Sequence, residues 1–453
     1  MEINTAIVAG TGKSGISATK LLVNHGVKVY LFDENKDRDI EAIKEKTGDS
    51  ELVQIELGEL GEDALSSSQL MVISPGIPVD APFTDVVRNA GIPIWSEIEL
   101  AYHYGKGKIA AITGTNGKTT TTALVGEIVK AHNAKTIVVG NIGIPYTELC
   151  DTTDDDSDTV AEISSFQLET VIDFHPNVSA ILNLTPDHLN RHYTFENYGN
   201  VKFSITKNQT MDDVTVLNYD DEHTRAMGEK AKDHCHVVYF SRLEKTAGGV
   251  YVEDGDIILE DGDKKINVLA IKDLKLMGAH NVENVLAAVG ISYYMGVPVD
   301  VIRDVATSFK AVAHRIEYVD TVDGVAYYND SKGTNPDAAI KGIQAMVAPT
   351  FLIGGGYDKG SEYDEWIEAF DGKVKWLVLI GQTAQKIADC AKRHGFNSII
   401  FEENLQDAVA YCHENAVDGD AVLLSPACAS WGQFDNYEQR GDMFKEYVRS
   451  YKE

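Results

Sequence analysis

Short runs of aliphatic and β-branched residues alternate with glycine-containing turns and amphipathic stretches along most of this 453-residue chain. Residues 3–9 (INTAIVA) and 108–113 (KIAAIT) have the composition of buried strands, and a glycine-rich turn follows each of them. After the second turn, four apolar residues between positions 124 and 129 have helical spacing. This alternation of strand and helix predicts an α/β protein with parallel sheets flanked by helices.

The pattern restarts twice, near residue 96 and again at the segment AVAHRIE (311–317). Three later runs, TFLIG, KWLVLIG and DAVLLSP, each end in a turn that contains Gly or Ser-Pro. A chain of this length has a prior expectation of about three domains. We therefore predict three α/β domains, at residues 1–96, 97–311 and 312–453.

Composition restricts the class of partner. Forty basic and seventy acidic residues give a net charge of −30, which argues against non-specific binding to nucleic acid or to an anionic membrane surface. No apolar stretch approaches the roughly 18–20 residues of a membrane span, and the N-terminus does not resemble a secretory signal. Five scattered cysteines indicate reduced thiols. We expect a cytoplasmic protein without membrane insertion.

The first turn contains a glycine motif. Gly10, Gly12 and Gly15 satisfy G-x-G-x-x-G between a predicted strand and a helix that begins near Ser14, and the next strand ends at Asp33. An acidic residue about 20 positions after such a motif commonly contacts a ribose in dinucleotide sites. A tight turn without a ligand explains the motif equally well.

The second turn lies in the segment ITGTNGKTTTT (112–122), which resembles a phosphate-binding loop with shortened spacing. The two glycines of the common loop stand five positions apart, whereas Gly114 and Gly117 stand three apart. The context is nevertheless that of a phosphate loop, because a strand precedes it and a helix begins at Lys118. Lys118 can reach terminal phosphates and Thr119 can offer its hydroxyl to Mg²⁺. We favour a nucleotide site over a purely structural turn.

Polar residues follow the next three predicted strands. TIVVGN ends at Asn141, TVAEISS carries Glu162, and SAILNLTPDH is predicted to reach Asp187 and His188. Ligands in parallel α/β sheets bind beyond the carboxyl ends of the strands. A glutamate within an apolar strand is costly unless it is paired or bound to metal, although an exposed edge strand would also accommodate it.

Two further patterns suggest metal sites. The tripeptide His234-Cys235-His236 could suggest zinc, but no second ligand pair lies nearby, so surface or strand positions are favoured. The acidic run Asp151–Asp158 is predicted to be a solvated loop rather than a cation site.

Five segments in this order carry a resemblance to the Mur ligases: GTNGKTT, AEISSFQLE, NLTPDHLNRH, NDSKGTNP and LSPACASWGQFDNYEQRG. The resemblance covers essentially the whole chain, and the compact G-T-N-G-K-T loop is the form that this family uses. It implies an N-terminal Rossmann-like domain, a central P-loop ATPase-like parallel sheet and a C-terminal Rossmann-like domain. It also implies an ATP-dependent amide ligase that joins D-glutamate to UDP-N-acetylmuramoyl-L-alanine through an acyl phosphate and releases ADP and phosphate.

The resemblance assigns roles to individual residues. It implies catalytic roles for Lys118, Lys202 and His188, and two Mg²⁺ sites that involve Thr119, Glu162, His188 and a carbamylated Lys202. From residue type alone, Lys202 would be a solvated lysine on a helix. The implied ATP contacts are Gly114, Thr115, Asn116, Gly117, Lys118, Thr119, Thr120, Asn281, Asn284, Arg315, Asp330 and Lys332.

The remaining implied contacts belong to the two other substrates. Those to the UDP substrate are Gly12, Lys13, Ser14, Asp33, Ser74, Gly76 and Asn141, and those to the amino acid are Thr334, Lys359, Ser430 and Tyr437. Two positions depart from the family pattern: Tyr437 stands in place of a Phe, and Asn35 stands where an Arg is often found. The three small-molecule substrates are the only partners implied, and we expect a monomer.

Two other classes of function use only part of the sequence. An NAD-dependent oxidoreductase would use the motif at residues 10–15 but leave the loop at 114–119 without a role. A nucleotide-switch binding module would use that loop, but the chain has no N-K-x-D guanine signature and its third domain would be unexplained. Within the family resemblance, the N-terminal UDP-type domain disfavours a folate-directed enzyme.

Overall fold

The computed structural model describes residues 3–141, 143–276, 278–310 and 313–452. These residues form three sheets. They also divide into two compact units, Met1–Asp273 with Glu283–Thr307 and Leu274–Val282 with Ser308–Glu453. The predicted boundary between residues 311 and 312 lies outside the described residues, so the three predicted domain limits stay predictions.

The first sheet has five parallel strands in the order β3-β2-β1-β4-β5. The strand order reverses at β1, and the crevice beyond β1 and β4 is therefore the expected ligand position in a doubly wound sheet. Strand β2 ends at Asp33, as predicted. The elements are β1 (Thr5–Ala9), α1 (Lys13–Asn24), β2 (Lys28–Asp33), α2 (Ile40–Thr47), β3 (Val53–Leu57), α3 (Glu62–Ser67), β4 (Leu70–Ile73), α4 (Pro82–Asn89), β5 (Ile94–Ser96) and α5 (Glu97–Tyr104).

The second sheet has nine strands in the order β14-β13-β12-β11-β10-β9-β6-β8-β7. Its strands are β6 (Lys108–Thr113), β7 (Ile137–Gly140), β8 (Asp158–Glu162), β9 (Val178–Ile181), β10 (Val214–Asn218), β11 (His236–Ser241), β12 (Val250–Glu253), β13 (Asp256–Asp261) and β14 (Lys264–Ala270). The helices of this part of the chain are α6 (Lys118–His132), α7 (Tyr146–Leu149), α8 (Ser165–Leu168), α9 (Leu189–His192), α10 (Phe195–Phe203), α11 (Glu222–Ala231), α12 (Ala279–Tyr294) and α13 (Val299–Ser308). Short 3₁₀ turns occur at Cys150–Thr152, Ser204–Thr206 and Ile271–Asp273.

The edge formed by β12, β13 and β14 is antiparallel, which differs from the predicted parallel arrangement. The turn between β12 and β13 is Asp254-Gly255, and both residues have positive φ angles of 51° and 84°. Two-residue Asp-Gly turns with positive φ close antiparallel hairpins, because their twist matches that of the flanking strands. The same dipeptide at 323–324 closes the hairpin at the edge of the third sheet.

The third sheet has six strands in the order β15-β16-β20-β17-β18-β19. All neighbouring pairs except β15 with β16 are parallel. Its elements are β15 (Glu317–Val322), β16 (Val325–Asn329), α14 (Pro336–Ala345), β17 (Thr350–Gly354), α15 (Asp364–Glu368), β18 (Val374–Leu379), α16 (Ala384–Arg393), β19 (Ile399–Phe401), α17 (Leu405–Asn415), β20 (Ala421–Leu424) and α18 (Tyr437–Ser450). The predicted TFLIG strand coincides with β17.

Apolar cores cover both faces of the first and third sheets, as parallel strands require. One core is continuous between the first and second sheets, because residues such as Leu31, Ile98 and Tyr146 belong to the same buried cluster. The other face of the first sheet has a separate core around Phe32 and Met71. The third sheet has one core on each face. No helix in the described part of the chain is long and apolar enough to cross a membrane.

A buried carboxylate fixes helix α5 against the second sheet region. Glu99 accepts hydrogen bonds from the backbone N–H groups of Ile172, Asp173 and Phe174, at 3.0, 2.7 and 3.0 Å. Its side chain is fully buried. Each oxygen of the buried carboxylate is therefore hydrogen-bonded, and the N–H of Phe174 finds its partner in a buried position.

Replacing Glu99 with Gln should destabilise the protein, because the amide NH₂ would face a backbone donor where a carboxylate oxygen now accepts. We expect a loss of about 1–3 kcal/mol in unfolding free energy and a lower Tm. The matched control is Glu127→Gln on the exposed face of α6, which should leave Tm unchanged. Equal Tm values for the two variants, measured by circular dichroism, would contradict the anchoring role of Glu99.

Candidate functional site

The loop at residues 114–117 lies between β6 and α6, as predicted for a phosphate-binding loop. Gly114 and Gly117 adopt φ angles of 149° and 83°, a region that side chains disfavour. The loop is held by Asn183, whose carbonyl accepts from the N–H of Thr115 at 3.0 Å and whose side chain accepts from the N–H of Asn116 at 2.8 Å. The loop is thus held in a fixed conformation next to the first turn of α6, and this position favours the binding of an anion.

Two lysines donate to one carbonyl oxygen of this loop. Lys118 Nζ lies 2.9 Å from the Gly114 oxygen and 2.8 Å from the Thr115 oxygen. Lys202 Nζ, from α10, lies 2.8 Å from the same Gly114 oxygen and 3.3 Å from Thr113 Oγ1. Lys202 is only 1% exposed, so the alternative of a solvated helix lysine is wrong.

The environment of Lys202 favours its neutral amine. Burial and the neighbouring charge of Lys118 lower the pKa of Lys202 well below its usual value, and the opposing influence of Asp187 and Glu162 is smaller. Removing a proton from Lys202 relieves both the desolvation of a charge and its repulsion by Lys118. A lysine whose pKa is lowered loses its proton more readily, and the neutral amine is nucleophilic.

Glu162 ends the interior strand β8, which lies between β6 and the edge strand β7. It is 1% exposed, so the alternative of an exposed edge strand is also wrong. Its Oε1 accepts from Asn141 Nδ2 at 2.8 Å, while its Oε2 has no hydrogen-bond partner among the described residues. A buried carboxylate oxygen without a partner is costly, and it is the type of ligand that Mg²⁺ prefers. The residues present therefore fit a magnesium ion.

Asp187 and His188 do not lie on a strand, which corrects the sequence prediction. Strand β9 ends at Ile181. The N–H groups of Leu184 and Thr185 donate instead to Asp221 Oδ2 and Thr115 Oγ1, at 2.8 and 3.1 Å. Pro186 follows them and has no N–H to donate to a ladder. The strand therefore stops early, and Asp187 and His188 lie in the loop that precedes α9.

His188 starts α9 in a left-handed conformation with φ of 52°. Its Nε2 lies 3.6 Å from Asp187 Oδ2, and its side chain is 45% exposed. The imidazole is therefore accessible to a ligand.

An aromatic ring joins the two segments AEISSFQLE and NLTPDHLNRH. The Phe166 ring lies 4.8 Å from the His188 ring, 5.6 Å from the His192 ring and 4.8 Å from the guanidinium carbon of Arg191. Arg191 in turn pairs with Glu169 at 2.5 Å. Sequence reasoning missed these positioning residues, although all of them lie within the segments that carried the resemblance.

Asn284 packs against the phosphate loop. Its Oδ1 lies 3.3 Å from Thr121 Oγ1, and a Cβ atom at position 117 would approach it to 2.2 Å. Asn281 is also buried but belongs to the second compact unit, where its N–H donates to the Gly278 oxygen at 3.0 Å.

A cavity of about 370 Å³ opens beyond the carboxyl ends of β1 and β4. Its lining includes six residues assigned to the UDP substrate, namely Gly12, Lys13, Ser14, Asp33, Ser74 and Gly76. The seventh, Asn141, lies instead beside Glu162 at the end of β7. The strand-order reversal thus coincides with the predicted site, as it does in other doubly wound folds.

Asp33 is held at this cavity by several donors. It accepts from Thr11 Oγ1 at 2.5 Å, from the N–H of Asn35 at 3.0 Å and from Arg38 Nε at 3.2 Å. Burial alone would raise the pKa of Asp33, but these hydrogen bonds and the Arg38 charge hold it below its usual value. Arg38 was missed by sequence reasoning, and it brings a guanidinium to the region in which Asn35 replaces the family's arginine.

The cavity is connected to the phosphate-loop region within the same compact unit. Arg191 Nη2 donates to the Ile77 oxygen at 2.8 Å, and Lys13 Nζ donates to the Gly143 oxygen. Gly143 follows β7 shortly after Asn141. These contacts fix the position of the cavity relative to Glu162 and the phosphate-binding loop.

The second unit contains Asp330 directly after β16. Asp330 is buried, and its oxygens accept from Ser425 Oγ at 2.7 Å and from the N–H of Ile316 at 3.3 Å. Burial raises the pKa of Asp330 to about 6, although the charge of Arg315 acts in the opposite direction. Nearby in the sequence, Lys332 Nζ lies 5.3 Å from the centre of the Tyr437 ring. Thr334 is half-buried in the same loop.

The loops after β17 and β20 are paired, which brings Lys359 and Ser430 onto neighbouring segments. The N–H of Tyr357 donates to the Ala429 oxygen at 2.9 Å. Ser430 is buried and Lys359 is exposed. The pairing follows from strand order, because β17 and β20 are parallel neighbours and their carboxyl ends lie side by side.

Arg440 connects three of the C-terminal segments and was missed by sequence reasoning. Its guanidinium donates to Ser331 Oγ at 2.9 Å, to the Ser331 oxygen at 2.7 Å and to the Cys428 oxygen at 3.2 Å. Burial lowers the pKa of Arg440 to about 10. Its position in the segment DNYEQRG could have suggested this role.

Comparison with known families covers most of the chain. Residues 4–96 match the N-terminal domain described as Mur ligase MurD-like, residues 112–292 match the Mur ligase middle domain, and residues 314–428 match the Mur ligase glutamate ligase domain. The chain belongs to the Mur ligase family.

Curated relatives of this Mur ligase are similar over their full lengths. The UDP-N-acetylmuramoylalanine--D-glutamate ligase of Lachnospira eligens is 55% identical over 99% of both chains. The protein of the same name from Lachnoclostridium phytofermentans is 51% identical over 99% of this chain and 98% of its own.

Solved structures share the fold of this Mur ligase. The UDP-N-acetylmuramate-alanine ligase of Thermotoga maritima superposes with a TM-score of 0.61 at 18% identity, over 99% of this chain and 100% of its own. MurF of Acinetobacter baumannii superposes with a TM-score of 0.62 at 16% identity, over 97% of this chain and 93% of its own. The predicted three-sheet α/β architecture is confirmed.

Adding a methyl group at Gly117 should impair ATP binding by this Mur ligase. Gly117→Ala places Cβ against Asn284 Oδ1 in a backbone conformation that costs a non-glycine residue roughly 1–2 kcal/mol. We expect ATP affinity, measured by calorimetry, to fall at least about tenfold, which corresponds to 1.4 kcal/mol.

The matched control is Gly91→Ala. Gly91 has a similar φ of 76°, but no atom lies within 4 Å of its would-be Cβ. Gly91→Ala should have the same conformational cost of a positive φ angle as Gly117→Ala, and it should retain ATP affinity. Unchanged ATP affinity in Gly117→Ala would show that the loop does not need its present conformation.

Proposed function

We propose that this Mur ligase joins D-glutamate to UDP-N-acetylmuramoyl-L-alanine with hydrolysis of ATP to ADP and phosphate. The observation that carries the proposal is the phosphate loop with Lys118, beside a buried and partly unpaired Glu162. The identity of the substrates is supported by full-length relatives that carry this name at 51% and 55% identity.

The reaction has two steps. A carboxylate oxygen of the L-alanyl group attacks the γ-phosphorus of ATP, and the bond from that phosphorus to ADP breaks. The amine of D-glutamate then attacks the acyl carbon, the bond to phosphate breaks, and the amine loses a proton as the amide forms. Phosphoryl transfer depends mainly on positioning and charge neutralisation, which suits Lys118 and the backbone N–H groups of the loop.

Thr119, Glu162, His188 and Lys202 are the proposed ligands of two magnesium ions. The ions would neutralise charge on the phosphates during transfer. Glu162 supports this assignment through its unpaired buried oxygen, and His188 through its accessible imidazole.

Lys202 is proposed to carry a carbamate. Its neutral amine would attack CO₂, form an N–C bond and release a proton, which leaves an anionic oxygen ligand. A carbamate suits Mg²⁺, whereas an ammonium would repel the ion. The support is the depressed pKa of the buried amine and its position against the Gly114 carbonyl.

The remaining contacts are assigned by substrate. The uridine diphosphate would occupy the cavity that Asp33 and Lys13 line. Arg315, Asp330 and Lys332, with Asn281 and Asn284, are proposed nucleotide contacts. Thr334, Lys359, Ser430 and Tyr437 are proposed for D-glutamate. The protein would act as a cytoplasmic monomer in peptidoglycan synthesis, and so serve cell shape and division.

Phosphate release should require all three substrates together. We expect turnover with ATP, UDP-N-acetylmuramoyl-L-alanine and D-glutamate, and none when L-alanine or a diamino acid replaces D-glutamate. Lys118→Ala should abolish turnover, because it removes the cation that faces the phosphates. Lys130→Ala, at an exposed position on the same helix, is the control and should stay active. Near-normal turnover in a folded Lys118→Ala variant would overturn the nucleotide assignment.

Lys202 provides the sharpest test of the carbamate. Lys202→Ala should lose most activity, and added acetate should partly restore it by supplying a carboxylate in the vacated space. Lys202→Arg should be inactive, since guanidinium keeps its charge. With ¹³C-labelled bicarbonate, the wild-type protein should show a carbamate carbonyl resonance that Lys202→Arg lacks.

The matched control is Lys207→Arg, because Lys207 is exposed only five residues further along. It should retain both the resonance and the activity. An active Lys202→Arg enzyme would end the carbamate proposal while leaving the ligase assignment intact.

A further inference from the structure

A cluster of metal-ligating side chains lies in the second unit, apart from every residue assigned above. Cys390 and His394 are one helical turn apart, at the end of α16. Asp364 and Glu368 are one turn apart on α15, which packs beside α16. Two pairs with i, i+4 spacing on facing helices therefore direct four potential ligands to one place.

Three of these ligands converge. One ligand atom each from Asp364, Cys390 and His394 lie within 4.8 Å of one another. The Asp364 oxygen and His394 Nε2 are 2.8 Å apart. Ligand atoms around a tetrahedral zinc ion are separated by roughly 3.3–3.8 Å, given metal–ligand distances of about 2.0–2.3 Å. Small rotations of these side chains would create that spacing.

Glu368 gives the cluster a second feature of metal sites. Its Oε1 lies 3.6 Å from His394 Nδ1, on the opposite side of the ring from Asp364. Metal-binding histidines commonly direct their other ring nitrogen to a carboxylate, which fixes the tautomer and the ring orientation. Without an ion, the Nε2–H of His394 donates to Asp364. When an ion replaces that proton, a small movement of Glu368 would let it accept a hydrogen bond from Nδ1–H and fix the tautomer.

We propose that Asp364, Cys390 and His394 bind one Zn²⁺ ion, with Glu368 orienting the imidazole and water completing the coordination. The mixture of one sulfur, one nitrogen and one oxygen donor suits zinc better than magnesium or calcium, which select oxygen. Sequence inspection considered zinc only at 234–236, where Cys235 is buried and donates to the Ala231 oxygen.

The surroundings are compatible with entry of the ion. Cys390 is 2% exposed, whereas Asp364 and His394 are 44% and 26% exposed, so solvent reaches the cluster from their side. Arg393 Nη2 lies 3.4 Å from Asp364 Oδ1, but its side chain is 61% exposed and can turn into solvent as the ion binds.

Binding would fasten α15 to α16 close to the predicted amino-acid loops. The hydroxyl oxygen of Thr383, just before α16, accepts a hydrogen bond from the N–H of Gly356 at 3.0 Å. Gly356 lies in the loop that leads to Lys359. The ion should therefore stabilise this part of the fold, and Tm should rise with added Zn²⁺.

Cobalt titration of the full-length, metal-free protein tests the site. Co²⁺ should bind with one-to-one stoichiometry and give a thiolate-to-cobalt charge-transfer band, which Zn²⁺ then displaces. Cys390→Ala and His394→Ala should each abolish the band. Glu368→Gln should retain it and weaken affinity roughly 10–100-fold.

Two controls separate this site from others. Cys412→Ala removes another buried thiol, and Asp389→Asn removes an acid next to Cys390 on the same helix. Both should keep the band at wild-type affinity. Magnesium ligands at the phosphate loop include no thiol, so cobalt bound there gives no such band. Absence of the band in the wild-type protein, or its survival in Cys390→Ala, would overturn the proposal.

Discussion

The carbonyl oxygen of Gly114 accepts hydrogen bonds from both Lys118 and Lys202, and the chemistry of the site follows from this shared acceptor. Burial, together with repulsion by the charge of Lys118, lowers the pKa of Lys202. Nearby, Glu162 has a buried oxygen without a partner among the described residues. Two lysine side chains and a buried carboxylate oxygen without a partner therefore lie around this loop, and the proposed phosphate and metal sites depend on that arrangement.

Strand order explains why distant residues meet. The strands β7, β8, β6 and β9 are neighbours and parallel. Asn141, Glu162 and the loop at 114–119 therefore lie together at the carboxyl ends of these strands. The same rule brings the loops of β1 and β4 together around the cavity, and those of β16, β20 and β17 together in the second unit. Each sheet therefore gathers its own set of loops at the carboxyl ends of its parallel strands, which is where ligands of such sheets commonly bind.

Fold and substrate are supported by different comparisons. Structures at 16% and 18% identity share the architecture, and one of them is named as an alanine ligase. Fold alone therefore does not select D-glutamate. Full-length relatives at 51% and 55% identity supply that part of the proposal. The zinc proposal has an independent basis, since it depends on the facing of α15 and α16 and on no relative.

The sequence by itself determined what depends on neighbours along the chain. The start of α6 at Lys118, the end of β2 at Asp33 and the phosphate loop follow from periodicity and glycine spacing. The Asp-Gly hairpins were equally local, and their signal was overlooked. Only the tertiary structure decided the burial of Lys202, the early end of β9 and the roles of Arg38, Arg191 and Arg440. Lys202 and Gly114 are 88 residues apart, and a chain pattern cannot encode which distant carbonyl a lysine will reach, because strand order and packing decide it.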